Sequence, residues 1–131
     1  MRNINKIIIH CADTPTTMNI GAEEIRKWHV DERGWDDIGY HFVIRRNGLI
    51  ETGRDIKDIG AHTLGHNHDS VGICLVGGKP TFNFNYLQLD AMRILVYDLM
   101  KRFPDAKVYG HKDFTDKKAC PMFDVKAYFN V

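Results

Sequence analysis

The sequence carries almost no net charge. Lys+Arg 18 against Asp+Glu 17 leaves +1, so the chain lacks the basic footprint of a nucleic-acid binder or of a protein held to an anionic membrane. Long apolar runs are missing too. Met1-Arg2-Asn3-Ile4-Asn5-Lys6 leads into only three isoleucines before His10, too few for a signal-peptide core or a membrane span. These absences predict a protein synthesised in the cytoplasm without a signal peptide, with no nucleic-acid partner and no membrane insertion. Cysteine is scarce and odd in number, Cys 3, which argues for reduced thiols rather than a disulfide framework and leaves one free for chemistry. No internal repeat, linker or low-complexity tract interrupts the chain. No His-Glu-x-x-His motif is present either, which removes the usual glutamate base of metalloproteases.

What is there suffices for one ordinary core. A length of 131 residues with 44% hydrophobic content predicts a single domain over 1–131. Lys6 to His10 reads as a buried strand of β-branched residues that ends abruptly in polar sequence. Gly21 to Glu32 reads as a helix, with Ala22, Ile25, Trp28 and His29 on its buried stripe, His29 at the core edge, and Gly34 beyond its end. Gly39 to Thr52 is a hairpin, in which Asn47-Gly48 supplies the positive φ angles of a tight turn. Strand alternation puts Tyr40, Phe42 and Ile44 on one face and His41, Val43 and Arg45 on the other. Val71 to Val76 is a central strand with Cys74 as a core thiol. Asn85 to Phe103 is a longer helix, with Leu89, Met92, Leu95, Val96, Leu99, Met100 and Phe103 at i, i+3, i+4 spacing. Pro104 stops it, Lys107 to Tyr109 returns to the sheet, and Asp124 to Phe129 closes as a short helix. The order β-α-β-β-β-α-β-α predicts an α/β fold, a central mixed β-sheet flanked by helices.

Chemistry concentrates in Gly110 to Pro121, where His111, Lys118 and Cys120 share one polar loop. Zinc takes nitrogen and sulfur ligands, and three protein ligands with one open position is its catalytic pattern. Two ligands on this loop require a third from elsewhere. His10, at the carboxyl end of the first strand, supplies a candidate; alternation sends Cys11 to the packed side. The plain alternative is a surface histidine beside a buried cysteine. A rival metal set is His62, His66 and His68, but the glycines and turn formers around them predict a loop rather than an aligning helix.

The ordered motifs His10-Cys11, Gly39-Tyr40-His41-Phe42, Gly53-Arg54-Asp55, Gly60-Ala61-His62, Asn67 with Ser70-Val71-Gly72-Ile73, Leu75-Val76-Gly77-Gly78, Gly110-His111 and Lys118-Ala119-Cys120-Pro121 resemble the type 2 N-acetylmuramoyl-L-alanine amidases. Within that family the chain is similar to the small phage lysozymes that are zinc amidases and, more distantly, to the peptidoglycan recognition proteins. The resemblance implies Zn2+ held by His10, His111 and Cys120, with Tyr40 and Lys118 needed for catalysis. It demotes His62, His66 and His68 to cleft wall; His62, with Asn67 and Thr14 as weaker candidates, is expected to line the cleft and bind substrate. The expected substrate is peptidoglycan or a muropeptide, cut by a monomer at the amide between N-acetylmuramic acid and L-alanine. Action on the cell wall would follow release or holin-type export. A noncatalytic muropeptide-binding module and a cysteine hydrolase using Cys120 with His111 stand as the competing classes.

Overall fold

The computed structural model describes residues 2–129; positions 1, 130 and 131 of the expected 1–131 domain lie outside the described residues. Its five strands are β1 (Lys6–Cys11), β2 (Phe42–Ile44), β3 (Ile50–Thr52), β4 (Ser70–Leu75) and β5 (Lys107–Gly110), arranged β3-β2-β4-β1-β5. β1 runs parallel to β4 and β5, β2 runs parallel to β4, and β3 alone is antiparallel. The sheet is therefore mixed, as the element order predicts. Ile7, Ile8 and Ile9 are each 0% exposed, because β1 is flanked on both edges and covered on both faces, the setting in which continuous apolar strands occur.

The two faces are covered unequally. Helices α2 (Tyr86–Arg102) and α3 (Val125–Phe129) bury Ile7, Ile9, Val71, Ile73, Leu75 and Val108 together with Met92, Leu95, Val96 and Leu99. The opposite face carries a smaller cluster, in which Val43, Cys74 and Val76 pack against Ile20, Ile25 and Ile38 beside helix α1 (Ala22–Lys27). α2 starts where its sequence says it should: Asn85 Oδ1 accepts the Gln88 N–H at 3.1 Å, an N-cap worth about 1 kcal/mol. Gln88 itself is fully buried and donates through Nε2 to the Val76 carbonyl at 2.8 Å, tying the helix to the sheet. That polar anchor lies outside the apolar series that defines the helix.

Three local expectations change. The predicted Gly21–Glu32 helix is α-helical only over Ala22–Lys27 and widens to a π-helical segment at Trp28–Glu32. The hairpin turn uses positive φ at Gly48 alone, φ 86, with Gly48 N–H bonded to the Arg45 carbonyl and Arg45 N–H to the Leu49 carbonyl; this is a three-residue turn closed by a left-handed glycine, so Asn47 needs no special conformation. Tyr40 does not share a face with Phe42 and Ile44. Those two pack on the α2 side, whereas Tyr40 packs with Val43 and Cys74. The reason is His41, whose ring Nδ1 accepts the Gly72 N–H at 3.0 Å while its own N–H donates to the Gly72 carbonyl at 2.9 Å. A ring stands where a ladder carbonyl would, β2 begins only at Phe42, and the alternation is reset before Tyr40.

Candidate metal centre

Parallel strands place their carboxyl ends on one edge of the sheet, the usual location of sites in such folds. His10 is the penultimate residue of β1. Because Ile9 pairs with Gly110 at the end of β5, the next residue on each strand, His10 and His111, are brought side by side with ring centroids 4.5 Å apart. A short 3-10 turn, His111–Asp113, then redirects the chain, held by Asp113 Oδ2 accepting the Gly110 N–H at 2.8 Å. The loop returns to β1 at Cys120, whose Sγ accepts the Cys11 N–H at 2.9 Å and whose carbonyl accepts the Lys112 N–H at 2.9 Å. One ligand atom each from His10, His111 and Cys120 lies within 4.8 Å of the others. Among the described residues this is the one group of three able to hold a metal ion.

The donor chemistry fits a divalent cation. Burial, then the neighbouring His62 and His111, holds the His10 imidazole well below its ordinary value; burial, then Lys118, lowers that of His111. Both therefore present neutral imidazole, the ligating form. The hydrogen bond with the Cys11 thiol, together with burial, pushes the Cys120 thiol up. A nucleophilic cysteine needs the opposite, a depressed pKa beside an imidazolium, so the thiol-hydrolase reading loses its chemical basis here. A bound cation deprotonates a coordinating thiol outright, and the Cys11 N–H is already aimed at that sulfur.

The group sits in a cleft of about 710 Å³ lined by His10, Cys11, Asp13, His29, Arg33, Trp35, Tyr40, His62, Thr63, Asn67, His111, Lys118 and Cys120, among others. Tyr40 lies with its ring centroid 5.2 Å from that of His10, and burial raises its phenol well above the ordinary value. It stays protonated at neutral pH and acts as a donor rather than a base. Lys118 is exposed on the cleft wall, and among the described residues no carboxylate pairs with it.

The remaining candidates separate. His62 lines the cleft but also bonds to His10, its Nδ1 lying 2.9 Å from His10 Nε2. Asn67 lines the cleft while its Oδ1 accepts the N–H groups of His62 and Thr63 at 2.9 and 2.8 Å, so it shapes the loop. Thr14 is 5% exposed, forms an isolated bridge to Gly78 and is not among the lining residues. His66 and His68 do not join a metal set. His66 stacks on Phe114 at 4.2 Å, and His68 is exposed beside Asp69 at 3.7 Å. Sequence reading missed Arg33 and Trp35, which cap the cleft with the guanidinium 5.2 Å from the ring centroid; only their position just past the helix hinted at a rim. His29, read as a core-edge residue, is indeed buried and accepts the Gly39 N–H at 2.9 Å, yet it reaches the cleft.

Fold and site together define an amide-hydrolase cleft built around a two-imidazole, one-thiol donor set. The chain belongs to the N-acetylmuramoyl-L-alanine amidase family, whose pattern it matches over residues 1–123. Its activity is that of the family, hydrolysis of the amide between N-acetylmuramic acid and L-alanine in peptidoglycan. The endolysin of Klebsiella phage KP32 is 45% identical over 130 residues, covering 95% of this chain and 85% of that protein. Among solved structures, the N-acetylmuramoyl-L-alanine amidase LysC from Clostridium intestinale superposes with a TM-score of 0.86 at 30% identity, over 99% of this chain and 87% of that one. A Drosophila PGRP-LB variant in complex with tracheal cytotoxin superposes at 0.85 with 31% identity, over 99% and 82%.

Proposed function

We propose that residues 1–131 form a single zinc amidase domain in which His10, His111 and Cys120 are the metal ligands and Tyr40 and Lys118 the catalytic residues. The observation that carries this reading is the convergence of the three ligand atoms within 4.8 Å on the floor of the cleft. Zinc in such a set supplies water acidification, from about 16 to about 7, and polarisation of a carbonyl. The protein's own residues supply the rest. Tyr40, kept neutral by burial, donates a hydrogen bond toward the carbonyl oxygen as it gains charge. Lys118, at the cleft wall, places a positive charge at the same developing oxyanion. His62 and Asn67 form part of the wall that receives the substrate. A near-neutral protein with a polar cleft suits a saccharide-peptide, whose amide and hydroxyl groups need hydrogen-bond partners rather than a field.

The substrate class we infer is peptidoglycan or its muropeptides, supported by the tracheal cytotoxin bound to the Drosophila relative. Cell-wall action is supported by the endolysin relative; release or holin-type export and a monomeric state are parts of the same proposal. No helix among the described residues is long and apolar enough to cross a membrane. Digestion of purified peptidoglycan followed by mass spectrometry tests the reading. Free stem peptides with a new N-terminal alanine and undivided glycan chains are expected, with loss on chelation and recovery on adding zinc. New reducing sugar ends, or cuts inside the stem, would overturn it.

A further inference from the structure

His62 is placed by more than the cleft. Its ring lies against the backbone of β4 and of residue 60: a Cβ at Gly72 would come within 2.6 Å of His62 Cγ and Cδ2, and one at Gly60 within 2.8 Å of Cδ2. The two glycines therefore leave open the space this imidazole occupies, Gly72 most directly. Its backbone is fixed as well, since Asn67 Oδ1 holds both the His62 and the Thr63 N–H groups. Within that slot every ring nitrogen has a neighbour. Nδ1 lies 2.9 Å from His10 Nε2 and 2.9 Å from Thr63 Oγ1, and Nε2 lies 3.3 Å from Ser70 Oγ. Thr63 Oγ1 is also 3.2 Å from His10 Nε2.

One proton placement leaves His10 able to ligate and uses its shortest contact. With Nε2 of His10 turned to His62 and Thr63, the nitrogen left for the metal is Nδ1. A neutral imidazole that offers the Nδ1 lone pair must carry its proton on Nε2. That proton needs an acceptor, and His62 Nδ1 at 2.9 Å is the nearer of the two. An accepting Nδ1 places the His62 proton on Nε2, where Ser70 Oγ receives it. The row Ser70, His62, His10 thus has a single direction of donation.

We propose that His62 is a positioning residue for the metal site: seated between Gly60 and Gly72, it accepts the Nε2 proton of His10 and so turns the Nδ1 lone pair of His10 toward Cys120 and His111. This rests on the reading of His10 as a metal ligand, and it assigns His62 a role beyond lining the substrate cleft. Outer partners of ligating histidines are worth about 10- to 100-fold in metal affinity.

The test is zinc affinity of the purified full chain, measured by competition with a chromophoric chelator, for wild type, His62→Ala and His62→Asn. His62→Ala removes the acceptor and should weaken zinc binding by about 10- to 100-fold. His62→Asn returns a side-chain oxygen near the Nδ1 position and should recover much of that loss. Gly72→Ala, which alters no cleft-lining residue, should push the ring off His10 and imitate His62→Ala. Circular dichroism restricts the comparison to folded samples, and nitrogen NMR of the metal-free wild type should show His10 protonated at Nε2. Equal zinc affinity in wild type and His62→Ala, with only KM raised, would overturn the positioning role while leaving the metal site intact. A wild type that binds no zinc would overturn both.

Discussion

The two faces of the sheet divide the work. The face under α2 and α3 is filled by a large apolar cluster in which Ile7, Ile9, Ile73, Leu75, Met92 and Val96 are each 0% exposed. The other face, across the same strands, holds a smaller cluster and then four histidines, a tyrosine and two thiols around an open cleft. Ile9 and His10 are neighbours in sequence and belong to opposite regimes. The difference teaches that one close-packed side can hold strand ends rigidly enough for the other side to remain polar and hollow, so stability and chemistry should respond to different substitutions.

The sharpest break is at the centre itself. Cys120→Ser should lose most bound zinc and with it turnover, while the apolar face keeps the fold; metal analysis and circular dichroism read the two separately, and full zinc occupancy in the variant would refute the ligand assignment. The converse substitution, Met92→Ala, should cost about 2–5 kcal/mol of unfolding free energy, the usual price of an emptied core site. Its folded fraction should keep wild-type zinc affinity, as measured by denaturant unfolding and zinc titration; a shifted affinity would show the faces to be coupled.

Smaller effects sharpen the contrast. Tyr40→Phe and Lys118→Ala should retain zinc yet lower turnover by about 10²-fold or more, the scale of one oxyanion donor; wild-type turnover in either would remove that residue from the mechanism. His41 gives a pH signature. Burial lowers its pKa to about 4, and its Nδ1 is already occupied by the Gly72 N–H, so protonation sets two donors against each other. The unfolded chain, titrating at about 6.5, binds the extra proton first as pH falls. Stability is therefore fully present above about 6.5 and declines toward 4, by about 2 kcal/mol between pH 7 and pH 5 from this group. Denaturant unfolding of chelated protein at several pH values should show the decline, and His41→Gln should flatten it.

Much of this was legible in the sequence because it follows from period and register. The isoleucine run, the i, i+3, i+4 series of α2 and the abrupt polar end of β1 each have a local cause, and they suffice to put His10 at a strand end. Ligand identity required more. Nothing local joins residue 10 to residue 120; that link came from the ordered motifs, and the sheet order explains it by placing β1 between β4 and β5. The misreadings share a physical origin. Tyr40 was placed on the wrong face because a histidine ring substituted for a ladder carbonyl, which no alternation rule anticipates. Gln88 went unremarked because an apolar periodicity has no way to mark a buried amide that bonds to the strands beneath.

The Cys11 to Cys120 hydrogen bond spans |i−j|=109 positions, and β1 cannot complete its pairing until β5 arrives. A chain emerging from the ribosome therefore holds its first histidine for most of synthesis without His111 or Cys120 beside it. The three candidate ligands come together only when the tenth residue meets the hundred-and-twentieth. On the proposed ligand set, chains that stop short of residue 120 should bind no zinc and cut no wall.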